Sequence, residues 1–159
     1  MASLSPPGVR AANLLGYAGL VPFFAAAAVM WAGPRRVEPA LFFFAPILLL
    51  AYAATIASFL GGVRWGVEAA RPGGPRAVFL ASSVAPQLAA VALIVAPLET
   101  AWRYAGLAVV LAVQGAGDAL APDLPVWYRR LRVPLTVGAA ASVAAGLAWV
   151  LLRGAAPGR

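Results

Sequence analysis

The sequence predicts an all-α fold: an integral membrane bundle of five transmembrane helices, with a short interfacial segment between the fourth and fifth. Three observations carry that prediction. Hydrophobic residues make up 63% of the chain and charged residues only 11%, where a soluble domain carries roughly a quarter charged. The apolar residues form long unbroken runs, and the breaks between them are short and built from proline, glycine and arginine. In hydrocarbon the backbone must satisfy its own polar groups, which leaves helices or closed barrels. Barrel strands alternate apolar with polar residues, and these runs do not. All 159 residues read as one domain.

Runs free or nearly free of charge occupy 11–34, 37–63, 77–98, 104–117 and 133–152. Crossing about 30 Å of hydrocarbon at about 1.5 Å per residue takes about 20 residues, so the expected spans are 11–33, 40–64, 77–97, 100–121 and 133–152. The first follows a single arginine, Arg10, and is longer than the roughly 7–15 residues of a signal-peptide core. It reads as a retained span, kinked at Pro22. The fourth run is short, roughly 21 Å of helix. It crosses only by taking in Glu99–Arg103 at one end and reaching Pro122 at the other.

All 12 basic residues are arginine, and the net charge is +7. They lie singly or in small groups between the apolar runs, where anionic lipid head groups sit, and form no stripe for nucleic acid. Arg10, Arg64, Arg71, Arg76, Arg129, Arg130 and Arg132 share one side; Arg35, Arg36, Arg103, Arg153 and Arg159 share the other. The positive-inside rule then places the N-terminus inside. The arginine, alanine, glycine and proline bias points to a GC-rich genome. Cysteine and histidine are absent, which excludes disulfides, thiolate or imidazole metal sites and Cys or His catalysis. No metal and no cofactor is expected.

Polar chemistry enters the membrane at a few places. Asp118 falls one turn inside the end of the fourth span, too short to reach far, with Gln114 one turn deeper on the same face. Arg64 ends the second span at the same membrane surface. A bidentate ion pair with Asp118 is expected there, since a carboxylate drawn out of water is costly alone. Two alternatives stand beside it: Arg64 reaches lipid phosphate, or it pairs with Glu68 one turn on. Asn13, Tyr17, Ser83, Gln87 and Gln114 fall at a similar depth and form either interhelical glue or the lining of a wet pocket.

Small residues recur every fourth position in Ala53, Ala57 and Gly61, in Ala54, Ser58 and Gly62, and in Gly138, Ser142 and Gly146. Such stripes let helices approach closely in lipid. The connection PDLPVWYRRLR, 122–132, reads as the interfacial segment. Trp127 and Tyr128 sit at head-group level there, as Trp65 does after Arg64, while Arg129, Arg130 and Arg132 meet lipid phosphate or a partner's acidic surface.

LGYAGLVPF (15–23), SFLGGVRWG (58–66) and Asp118 with PVWYRRLRVPLT (125–136) resemble the bacterial and mitochondrial membrane proteins grouped as domain of unknown function 3429, the transmembrane protein 69-like family. The resemblance covers most of the chain and implies a five-span inner-membrane protein, with no activity, substrate or cofactor attached. The family pattern often carries histidine before the tryptophan of the second motif. This chain has Arg64, which stays charged and does not trade protons.

Three functions compete. A non-enzymatic accessory or scaffold protein, binding membrane lipids or other membrane-protein subunits, fits the small-residue stripes and the lack of any nucleophile–base set. A small proton- or solute-coupled transporter would use Asp118, Arg64 and Gln114. A lipid-modifying enzyme needs paired acids or a histidine base, and no such spacing occurs. The first is the expected role, in an oligomeric state that the sequence leaves open.

Overall fold

A computed structural model describes residues 6–154, and every element among them is helical. The order is α1 (Pro7–Ala18), α2 (Val21–Ala32), α3 (Pro39–Ala69), α4 (Ala77–Val95), α5 (Thr100–Leu120) and α6 (Val126–Gly154). Four rods are long and apolar enough to cross a membrane: Pro7–Ala32, Pro39–Ala69, Ala77–Val95 and Val126–Arg153. The remaining helix, α5, has the length but carries Arg103, Gln114 and Asp118 within it.

The first rod is bent where α1 meets α2. Pro22 has no amide to give the carbonyl of Ala18, so the disturbance appears one turn earlier, at Gly19–Leu20. The Tyr52 hydroxyl on α3 donates to the freed Gly19 carbonyl at 3.0 Å. At the start of α3, Pro39 takes a first-turn position that needs no donor, and the Glu38 carboxylate accepts from the Leu41 amide at 3.0 Å. Gly73 and Gly74, at φ +89° and +94°, turn the chain from α3 into α4 through a region closed to most side chains.

Helices α2, α3, α4, α5 and α6 pack in a ring, each against the next and α6 back onto α2, while α5 also reaches α3 and α1 lies against α6. The core they enclose is built around Phe23, Met30, Leu49, Tyr104, Leu107, Leu111 and Val143, with alanines where helices come close. Helix α5 turns Tyr104, Leu107, Leu111, Gly115 and Asp118 inward. That three-and-four spacing is one helical face, so a helix that carries Arg103, Gln114 and Asp118 still has a consistently buried stripe.

Two boundaries depart from the sequence expectation. Helix α3 continues past 64 to Ala69 because its last charge, Glu68, is buried and paired and so does not end the helix. The separate interfacial segment expected over 122–132 does not form. Only a tight turn over 121–125 is non-helical, and Val126–Gly154 is one helix that absorbs Pro134. Proline, tryptophan and arginine mark a head-group level equally well in a flat segment and in the first turns of a steep helix. Within 126–132, Arg132 turns inward, as described next.

Candidate functional site

At the end of the bundle where α3, α5 and α6 converge, six ion pairs join seven side chains into one chain of alternating charge. Arg132 Nε donates to Asp118 Oδ2 at 3.1 Å, inside the bundle where Asp118 is only 1% exposed and Arg132 5%. Arg64 Nε stands 3.7 Å from the other carboxylate oxygen of Asp118, and Arg64 Nη1 stands 3.5 Å from Asp123. Asp123 in turn lies 3.7 Å from Arg76 Nη2. Arg76 closes on Glu68 with three bonds, from its amide, Nε and Nη2, each at 2.8 Å. Arg71 Nε adds a further bond to Glu68 at 3.2 Å.

Each member is placed by its local sequence. Glu68 ends α3, and the Gly73–Gly74 turn folds the following loop back so that Arg71 and Arg76 both meet it. The short α5–α6 turn puts Asp118 in the last turn of one helix and Arg132 in the second turn of the next. Arg129 uses the same geometry to donate to the Ala119 carbonyl at 3.0 Å, satisfying an orphan acceptor of the α5 terminus. In the loop, the Arg76 guanidinium is held above the ordinary arginine range, chiefly by its hydrogen bond to Glu68 and further by the charges of Glu68 and Asp123.

The network differs from the sequence expectation in three ways. Arg64 meets Asp118 as a charge contact, not through two parallel hydrogen bonds; the hydrogen bond comes from Arg132, expected to meet lipid phosphate or a partner's acidic surface. Glu68, weighed as a partner for Arg64, belongs to Arg71 and Arg76. Asp123 and Arg76 are linking members to which the sequence reading assigned no pairing. The only signal for them was their place in the two connections that flank Arg64 and Asp118.

The expected polar cluster is brought together only in part. Gln114 Nε2 donates to the Ala57 carbonyl on α3 at 3.2 Å, which leaves Gln114 Oε1 buried and unpartnered. Ser83 is buried but turns its hydroxyl onto its own helix, at Leu80 O, 2.7 Å. Gln87 is exposed and Tyr17 half exposed on the outer faces of α4 and α1, and half-buried Asn13 takes no part in the ion-pair chain. Trp65, Trp127 and Arg130 point outward, whereas the Tyr128 hydroxyl is buried without a hydrogen-bond partner.

Among the small residues, Gly61 abuts the Ser83 carbonyl of α4 so closely that a Cβ would collide with it. Gly138 faces Leu20 and Phe24, and Gly146 faces the Tyr104 ring and Leu49. Ser142 is buried and donates to Gly138 O at 2.8 Å. Gly62 differs from its expected role: nothing lies within 4 Å of the place its Cβ would take. Two close approaches escaped notice in the sequence, Gly106 against Leu93 and Gly115 against Thr136, because neither glycine belongs to a stripe of four.

Three cavities flank the network, one of them, of about 180 Å³, lined by Val67, Glu68, Arg71 and Asp123. A cleft of about 450 Å³ between α4 and α5 has Arg64, Ser82, Gln114 and Asp118 on its walls, with Val109 and Val113 along its apolar length. A smaller cavity of about 150 Å³, among Phe23, Phe59, Leu135 and Thr136, has Arg132 at its edge. Among the described residues, no group of three or more acids is placed to hold a metal ion.

The chain matches the family described as Protein of unknown function (DUF3429) over residues 8–148. It is 36% identical to Transmembrane protein 69 of Xenopus tropicalis over 147 residues, covering 87% of this chain and 54% of that protein. It is 33% identical to Transmembrane protein 69 of Mus musculus over 128 residues, covering 76% of this chain and 48% of that protein. The chain thus spans about half the length of the curated relatives it matches. No solved structure matches it. With its apolar helices and these relatives, the chain is a multi-pass membrane protein that belongs to the DUF3429 family.

Proposed function

We propose that this chain is a five-span accessory or scaffold protein of a bacterial inner membrane, with its N-terminus inside, that binds lipids or other membrane-protein subunits and carries out no chemistry of its own. The observation that carries the reading is the ion-pair chain. Three of the five acids in the sequence are committed to arginines in it, so the end of the bundle richest in charge is spent on holding α3, α5 and α6 together. A rigid platform results, with Phe43, Phe44, Phe59 and Trp102 displayed outward. Helix α5 serves as the fifth crossing in this reading. Its Asp118 and Gln114 find partners on α6 and α3, and α5 lies among α3, α4 and α6, so its polar side chains do not meet lipid unaccompanied.

The test is reciprocal purification in mild detergent. A tagged chain should retain a membrane protein that, tagged in turn, retains the chain. Repeated recovery of the chain as a partner-free monomer sinks the scaffold role.

One observation favours a transporter as the second reading: Asp118 lines one cavity and its partner Arg132 another. Asp118→Asn separates the two. Lost uptake at a normal protein level supports transport, whereas a fall in protein level that accounts for the whole phenotype makes Asp118 structural.

A further inference from the structure

The α4–α5 cleft has a feature that the ion-pair chain does not use. Its walls change character along its length. At the network end stand Arg64, Ser82, Gln114 and Asp118, and beyond them Val109 and Val113 line the way towards the middle of α5. The apolar part, Val109 to Val113 on α5 and Ala85 to Ala89 on α4, spans roughly 6 Å of helix at about 1.5 Å per residue. At the polar end one buried acceptor, Gln114 Oε1, has no hydrogen-bond partner, and Arg64 Nη1 has only its 3.5 Å charge contact with Asp123. Buried polar atoms without partners are uncommon and costly. Both atoms belong to residues on the wall of one cleft, of a size in the range of small-molecule sites.

Charge supplies the complement. The network contains Arg64, Arg71, Arg76 and Arg132 against Glu68, Asp118 and Asp123, which leaves one positive charge over. A phosphodiester brings one negative charge and accepts hydrogen bonds from a guanidinium. A head group that also bears hydroxyls supplies the donor that Gln114 Oε1 lacks.

We propose that the α4–α5 cleft is a binding site for an anionic phospholipid with a hydroxyl-bearing head group, its phosphate on Arg64 and one acyl chain along Val109 and Val113. This rests on the membrane reading above but not on the scaffold role. A choline head group, with no donor and no net charge, leaves both the surplus positive charge and Gln114 Oε1 unanswered.

The experiment is native mass spectrometry of the full chain in mild detergent, with phosphatidylglycerol and phosphatidylcholine of identical acyl chains as competing probes. One charge-assisted hydrogen bond gained or lost predicts a preference of about tenfold for phosphatidylglycerol. Arg64→Gln should abolish the preference. Val113→Trp, which fills the apolar half from a lipid-facing position outside the network, should reduce retention of both lipids. It also keeps the test valid if Arg64→Gln fails to fold. Equal retention of the two lipids by the wild-type chain overturns the proposal, as does unchanged retention by a folded Val113→Trp protein. A partner-free monomer that still selects phosphatidylglycerol removes the scaffold role and leaves the lipid site standing.

Discussion

The two ends of helix α5 hold the bundle together by opposite means. Around Asp118 the helices are joined by charge: a carboxylate inside the protein, two guanidiniums and a chain of further pairs reaching the α3–α4 loop. About 21 Å away along the same helix, Tyr104 joins them by shape. Its ring fills the space beside Gly146, and its hydroxyl donates to the Pro46 carbonyl at 3.0 Å and lies against Met30 Sδ. Nearby, Trp31 Nε1 donates to Ala145 O at 3.1 Å, and the Arg153 guanidinium lies over the Trp149 ring, 4.4 Å from its centre. In lipid no hydrophobic drive brings helices together, so packing, hydrogen bonds and ion pairs must do it. The comparison teaches that one helix combines these means by depth, with ionic ties at the end where Asp118 is buried and close packing at the end where Tyr104 is.

The largest effect is expected at the ionic end. Asp118→Ala leaves Arg132 buried without its carboxylate, which should cost about 3–5 kcal/mol; unfolding in a graded mixture of mild and denaturing detergent measures it. Asp118→Leu combined with Arg132→Met should recover most of that loss, because an apolar pair of similar volume removes the stranded charge. A double variant as unstable as Asp118→Ala shows that the pair contributes more than mutual neutralisation.

Close packing is expected to matter next. Gly61→Ala drives a methyl into the Ser83 carbonyl, a backbone group that cannot swing aside, and Gly146→Ala drives one into the Tyr104 ring. Each should cost about 1–3 kcal/mol in the same titration, with Gly61→Ala the greater. If both are neutral, the α3–α4 and α5–α6 contacts are looser than their geometry implies. Tyr104→Phe keeps the ring and loses the bond to Pro46, for which about 1 kcal/mol is expected. Gly62→Ala is the control, since its methyl meets nothing. A change within about 0.5 kcal/mol sharpens the contrast with Gly61 one residue away.

Much of the fold was legible in the sequence because its causes are local. Lengths and positions of the apolar rods follow from runs that have to bridge hydrocarbon, and Pro22 marks the bend between α1 and α2. The site was legible only in fragments. Arg64 and Asp118 were recognisable as charges ending spans at one membrane surface, which is a statement about depth. Depth does not fix rotation: Gln87 and Tyr17 lie at a suitable level yet face outward, and Gly62 differs from Gly61 only by the angle of one residue about the α3 axis. Arg132 was misjudged for the same reason. Its neighbours Trp127 and Arg130 do face outward, and the difference among them is their direction around α6.

By itself the sequence determined the medium and the helical state, since a backbone in lipid must close its hydrogen bonds within each segment, whatever its neighbours are. Which guanidinium meets Asp118, which glycine another helix crosses and where the cleft opens were decided by the tertiary structure alone. Those outcomes depend on how five helices are turned against one another, and that rotation is set by all the contacts together.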